Sequence, residues 1–327
     1  MVAVVGTLLA LLVFFALFGI FLTQYVPLWM EENESQLSVQ IQASLSTFKS
    51  GVDDQYILGN IPVYSVPFTV TSGTVPLLAQ PTVATISSIP GCPDGFYTTN
   101  GTPERIASCD FERLALSSST CASPCQDNVY NQTRATNYLE VDIPNRYYTP
   151  ISYYFENDGL AAAQTSGHQW LFVPPPLTIT KTAGNLTVRL SQLVLFGNAT
   201  TFNGVGTKDV SSRFTTITNV TSASRFETKT GAPRTFNLTL ALGVHAICGW
   251  YNYLNNTTYA ALGASSSSTW TLTGANQAGA LTLAPPSLST CSSTNHAAAD
   301  LVLKIYNVNF ATAFVSEDEI TFNAGGL

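Results

Sequence analysis

The sequence predicts an α+β protein in which a long N-terminal hydrophobic helix carries a β-rich, antiparallel, sandwich-like head. Three observations predict it. Residues 1–30, MVAVVGTLLALLVFFALFGIFLTQYVPLWM, contain no charged side chain. Apolar residues then recur at Leu37, Ile41, Leu45, Phe48 and Val52, the spacing of one helical face on a polar background. Beyond residue 60 the apolar runs are short, alternating and broken by Gly or Pro, which is the signature of many short strands.

The first run is long enough to cross a hydrocarbon layer about 30 Å thick as a helix. It is apolar all round, so it belongs in lipid or among other helices. Together with the stripe it predicts one helix of about 50 residues, roughly 75 Å long, ending near Gly51 with Asp53 and Asp54 beyond it. Pro27 is placed to kink it. Glu31, Glu32 and Glu34 read as a polar collar where the stalk meets water. The chain thus divides into a helix over 1–54 and a head over 55–327, with a possible lobe boundary at the rigid Pro174–Pro176.

In the head, Pro62–Thr71 alternates and has edge prolines, and a cysteine-rich loop with a short helix around Glu104–Leu116 follows. Strands are predicted at 137–143, 147–155, 170–173, 177–181 and 186–196, the last as one long strand or a bulged pair. Further strands fall at 236–242, 269–273 and 301–310, with Phe314–Phe322 closing the sheet. Trp250–Tyr253 reads as part of a short helix. Many short strands with turn signals between them predict an antiparallel sandwich.

Composition excludes several functions. Only 10% of residues are charged, the net charge is −7, and the 13 Lys plus Arg form no basic patch, so no nucleic acid is expected as a partner. The mean hydropathy of +0.18 comes in part from the first 30 residues, and no second uncharged apolar run of membrane-spanning length follows.

Six cysteines, Cys92, Cys109, Cys121, Cys125, Cys248 and Cys291, all lie past the apolar segment and can form three disulfides in any of fifteen pairings. Cys121-Ala-Ser-Pro-Cys125 has a spacing a zinc ion could use, but no His stands at a matching second spacing. Disulfides on an outward-facing head, and no metal, are the expectation.

Nine Asn-x-Ser/Thr sequons stand at Asn33, Asn100, Asn131, Asn185, Asn198, Asn219, Asn237, Asn255 and Asn256, and those carrying N-linked glycan should face outward.

No catalytic residues are expected. His168, His245 and His296 share no metal-ligand spacing and read as surface or packing residues. HExxH, a Gly-x-Ser-x-Gly elbow and a phosphate-binding glycine loop are absent, and Gly204-Val-Gly206 reads as a turn. Glu317-Asp318-Glu319 reads as a solvated acidic turn rather than a calcium site, and no cofactor is implied. Tyr147, Tyr148, Tyr153 and Tyr154 fit core and cross-strand pairs better than a sugar-stacking platform.

The N-terminal flank lacks the basic residues of a secretory signal or an ordinary anchor. A basic leader removed ahead of Met1 explains this, with Met1 as initiator the alternative. That layout, an apolar helix MVAVVGTLLALLVFFALF with an amphipathic continuation and a β head, resembles the archaeal type IV pilins and archaellins over residues 1–55. The Glu common at the fifth mature position of bacterial pilins is absent, since Val5 stands there.

The resemblance implies an extracellular, cell-surface filament used for adhesion or motility. Its subunits wait in the membrane and then polymerise as a helical homopolymer through the N-terminal helix. Ala3, Gly6, Ala10, Ala16 and Gly19 would let backbones approach, Phe14, Phe15 and Phe18 would fill between helices, and Leu37, Ile41, Leu45 and Phe48 would extend the contact above the membrane. The alternative is a monomeric, single-span, membrane-anchored surface glycoprotein with an adhesin-like role.

Overall fold

The computed structural model describes residues 2–58, 63–74, 79–90, 111–118, 128–182, 185–218, 235–265, 269–276, 279–281, 299–309 and 314–324. It opens with the long helix, which runs without a break through α1 (Val2–Ile20), a π-helical turn (Phe21–Tyr25) and α2 (Val26–Leu58). At 1.5 Å per residue this is about 85 Å.

The π turn stands where a kink at Pro27 was expected. Proline has no N–H to offer the carbonyl four residues back. Here the helix widens by one residue just before it, and the Val26 N–H bonds the Phe21 carbonyl, five residues away. The helix also passes the expected stop at Gly51 and continues to Leu58. Gly51 is a packing site: a Cβ there would lie 2.0 Å from the Tyr64 ring.

Among the described residues seventeen strands follow. The first sheet has the order β1 (Tyr64–Thr69), β12 (Thr207–Thr218), β17 (Phe314–Ala324), β10 (Asn185–Phe196), β9 (Thr178–Thr182). The second runs β11 (Thr200–Phe202), β2 (Thr85–Ile89), β5 (Tyr138–Ile143), β6 (Ile151–Glu156), β7 (Gly159–Gln164), β8 (Gln169–Val173). The third runs β15 (Gly279–Leu281), β14 (Trp270–Asn276), β16 (Ala299–Asn309), β13 (Thr235–Val244), β3 (Phe111–Ser118), β4 (Asn128–Ala135). A third helix, α3 (Ile247–Leu262), lies between β13 and β14 in the chain. The architecture is therefore α+β with a β-rich head, as predicted.

Four expectations for the head need correction. Phe111–Leu116 is strand rather than helix, because pairing with β13 and β4 outweighs the helix preference of Glu112, Leu114 and Ala115. Tyr147 and Tyr148 lie in a bend before β6. β17 does not close the sheet at an edge: it is central, antiparallel to β12 and parallel to β10 with Arg189 opposite Phe314. Glu317–Glu319 consequently lie on a strand and not in a turn.

The second sheet is the middle layer. Its alternation sends Leu139, Val141, Tyr153, Phe155, Leu160 and Ala162 to one face, where they form a core with Leu37, Ile41, Leu45, Phe48 and Val52 of α2. The opposite face presents Tyr138, Tyr154, Ala161 and Ala163 to α3 and to Leu240, Leu242, Leu301 and Leu303 of the third sheet. Five stripe residues at about 2 kcal/mol each give roughly 10 kcal/mol holding α2 to the head. Pro174–Pro176 carries the chain from β8 in the second sheet to β9 in the first.

Packing of α3 on β8 is close enough to require glycine. A Cβ on Gly249 would lie 2.7 Å from both the Leu171 nitrogen and the Trp170 carbonyl carbon, which are backbone atoms. Gly249→Ala is expected to lose about 2–3 kcal/mol, read as a lower denaturation midpoint of the detergent-solubilised chain.

Candidate functional site

The candidate site is the long helix itself, which changes character along its length. Among Val4–Ile20 the large apolar side chains are 41–70% exposed, and they point to every side of α1. Phe14 stacks on Phe18 and meets Phe15 edge-on, and Ala10 and Ala16 are exposed. Ala3 is on α1. A Cβ added at Gly6 or Gly19 would meet nothing within 4 Å, so neither glycine is required by packing inside the chain. By length and composition this helix can cross a membrane.

Head contact begins at the π turn. Val26 and Met30 are buried, with Phe21 and Ala79 packed against them. The other side of the same turns stays open, with Tyr25, Leu28 and Trp29 about half exposed. Above this level Leu37, Ile41, Leu45 and Phe48, expected to extend the contact between subunits, are buried at 0–1% exposure against the chain's own strands. Their partner is the head, which removes them from any outward face.

Three polar side chains of α2 sit on that buried stripe and fix the helix to the head. Glu34, expected in a solvated collar, is fully buried. It accepts backbone N–H groups of Arg146 (3.1 Å), Tyr147 (2.8 Å) and Tyr148 (2.7 Å), and the Thr82 hydroxyl. Burial opposes its charge, but the Thr82 hydroxyl and the three N–H groups together outweigh burial and hold the carboxyl below its ordinary value. The Asn145–Tyr148 loop thus forms a cradle of consecutive N–H groups around one carboxylate. Higher up, Lys49 Nζ bonds Asp158 Oδ1 at 2.8 Å and Asp53 Oδ1 at 2.8 Å. Higher still, Gln55 donates to the Ser212 carbonyl and accepts from the Ser212 hydroxyl.

A second buried polar centre lies between the second sheet and α3. Glu156, at the end of β6, accepts the His245 N–H (2.9 Å), the Ala246 N–H (3.4 Å) and Trp250 Nε1 (2.7 Å), and lies 3.2 Å from His245 Nδ1. α3 has no side-chain cap of its own at Ala246. Glu156 and Gln169, which accepts the Cys248 N–H, supply that cap from other strands. The His245 ring stacks on Tyr154 (5.1 Å) and Tyr138 (4.3 Å). Burial raises Tyr154, which shares a hydrogen bond with Glu140, and burial raises Glu140 as well. Tyr153 points the other way, donates to the Ser38 carbonyl, and is pushed up to about 12 by burial.

His245 is therefore a packing residue, and His168 lies 5.0 Å from the Trp170 ring, while His296 is outside the described residues. Tyr153 and Tyr154 are core on opposite faces of β6, and Tyr147 is exposed. Gly204 and Gly206, at φ 142° and 100°, form the expected turn before β12. Cys248 is buried and disulfide-bonded, and Cys92, Cys109, Cys121, Cys125 and Cys291 lie outside the described residues.

Of the sequons, Asn198 and Asn256 are exposed, Asn33 and Asn255 are half-buried on helices, and Asn131, Asn185 and Asn237 lie on strands. Asn100 and Asn219 are outside the described residues. Among the described residues, no group of three or more His, Cys, Asp or Glu converges to hold a metal.

No protein-family model, curated protein or solved structure matches this chain.

Proposed function

We propose that the chain is the structural subunit of an extracellular, type IV pilus-like filament of the archaeal kind, polymerising through its N-terminal helix. The head is then the outer sheath, braced by disulfides and bearing N-linked glycan, with Asn198 and Asn256 the exposed acceptors among the described residues. Adhesion or motility is the use, and no catalytic step is part of the reading.

One observation carries it. A single continuous helix has one half apolar and open on every side, and one half whose apolar stripe is spent on the chain's own head. The open half needs a cover, which is lipid before assembly and the same helix of neighbouring copies afterwards. Such a contact is heterologous and builds an open helical array. Gly6 and Gly19, small for no reason internal to the chain, suit close approach by a neighbour.

Electron microscopy of material sheared from expressing cells, with mass spectrometry of its main band, should find filaments of this chain. Gly6→Leu and Gly19→Leu variants should fold and insert in the membrane as before but yield few or no filaments. Normal assembly of both variants would sink packing through the small residues.

A second reading, a single-span anchored surface glycoprotein, draws on the exposed Tyr25 and Trp29 at the upper end of the open half. Aromatic residues gather at such heights in a bilayer interface. Recovery of the chain only in detergent-soluble membrane, with no filaments, would decide for that reading.

A further inference from the structure

The contact of Lys49 with Asp158 has more in it than an ion pair requires. Both side chains are enclosed, at 4% and 5% exposure, and Nζ lies 2.8 Å from Asp158 Oδ1. The same Nζ also bonds both oxygens of Asp53, at 2.8 and 3.1 Å. Two carboxylates on one enclosed ammonium leave a net negative charge where burial penalises charge. Burial, reinforced by Asp53 and offset only in part by Lys49, pushes Asp158 up to about 6, so its neutral acid form is populated in mildly acidic solution.

The two reacting groups are held on rigid supports. Asp158 occupies a two-residue hairpin turn with Asn157, both at positive φ (58° and 47°), closing the β6–β7 pair where Glu156 faces Gly159. Asn157 Nδ2 ties that turn to the Gly243 carbonyl at 2.9 Å. Lys49 follows Phe48 on α2, and both are buried in the docked face of the helix. Asp53, at 43% exposure, touches the buried site on one side and water on the other.

The geometry points to a covalent amide between Lys49 Nζ and Asp158 Cγ, formed after folding with Asp53 as the proton carrier. Asp53 takes a proton from the Lys49 ammonium and frees its lone pair. The amine attacks Cγ of the protonated Asp158 carboxyl, and Asp53 returns the proton to the departing hydroxyl. Asp53 then takes the second proton from the nitrogen and passes it to the water on its exposed side. One C–N bond forms, one C–O bond breaks, and one water leaves past Asp53. Nothing is oxidised or reduced, and no further reactant is needed. Burial lowers the Lys49 pKa, but the two carboxylates outweigh it and keep the group charged, so the reaction is slow and depends on the fixed proximity of the groups. The product joins residues 109 positions apart and makes the helix-to-head connection covalent. This inference rests on the docking contact alone and holds for a filament subunit or an anchored monomer.

The test is peptide mapping of the full chain, folded in detergent and held at about pH 6 before digestion. The expected product is a branched peptide joining the Lys49 and Asp158 segments, lighter than their sum by one water. In Asp158→Asn the same branched peptide should form with loss of ammonia. Lys49→Arg should give none. Asp53→Ala, checked for native circular dichroism, should form it about a hundredfold more slowly. Recovery of both segments unlinked and at full mass, from wild-type and Asp158→Asn chains alike after prolonged incubation, would overturn the proposal and leave an ordinary ion pair.

Discussion

Glu34→Ala is expected to destabilise the docked helix by about 3–4 kcal/mol. The substitution leaves the Thr82 hydroxyl and the N–H groups of Arg146, Tyr147 and Tyr148 without their shared acceptor. Partial exposure of the Arg146–Tyr148 loop lets water recover some of that loss. Hydrogen exchange should show it first at residues 30–40 and 145–150, while α3 stays protected.

The pH dependence has a defined sign. The folded pKa of Glu34 lies below its ordinary value of 4.5, so its contribution is present above about pH 4.5 and is lost as pH falls through the folded value. Denaturant midpoints of wild-type and Glu34→Gln chains should differ by a constant amount above about pH 5 and converge in acid. A difference that does not vary with pH would show that the carboxylate charge plays no part in holding the helix.

Glu156→Ala is expected to be as costly, about 3–5 kcal/mol, because Glu156 is fully enclosed and accepts three N–H groups from residues 245–250. The Trp250 indole N–H, the Ala246 N–H and the His245 N–H would all be left buried and unpaired. Trp250 reports this directly: its fluorescence should shift as the ring loses its acceptor, and α3 should lose exchange protection from its N-terminal end. Glu156→Gln keeps one carbonyl oxygen but turns an NH₂ group towards donors, so it should fall between the alanine variant and wild type. A Gln variant as stable as wild type would mean that one oxygen is enough to cap α3.

The helix and most strands were legible because their periodicities are strong. The stripe at 37, 41, 45, 48 and 52 and the alternation at 137–143 describe one-sided burial, which is what the structure contains, and 186–196 is one long strand. The polar anchors were harder to see, though the signal existed. Glu34 stands three residues before Leu37, and Lys49 four after Leu45, so both share the apolar face. Grouping Glu34 with Glu31 and Glu32 by composition hid its position on the helix. The cradle that receives it, Arg146–Tyr148, has no sequence pattern, since backbone N–H groups belong to every residue. Phe111–Leu116 misled for the opposite reason: its helix preference is local, and the strands that override it lie over a hundred residues away in β13 and next to it in β4. The central place of β17 was hidden too, because a parallel pairing with β10 depends on neither strand's own pattern.

That last strand sets the timetable of biosynthesis. In the first sheet β17 separates β10 from β12, which end 118 and 96 positions before it begins (314 − 196 and 314 − 218). Until residues 314–324 leave the ribosome, β12 and β10 have no partner between them, and this layer beside α2 has a gap at its centre. The head therefore finishes its first sheet last, and a chain truncated before β17 loses the middle of that sheet instead of an expendable rim. Without β17, the strand β12 that lies against α2 has no neighbour on its inner side.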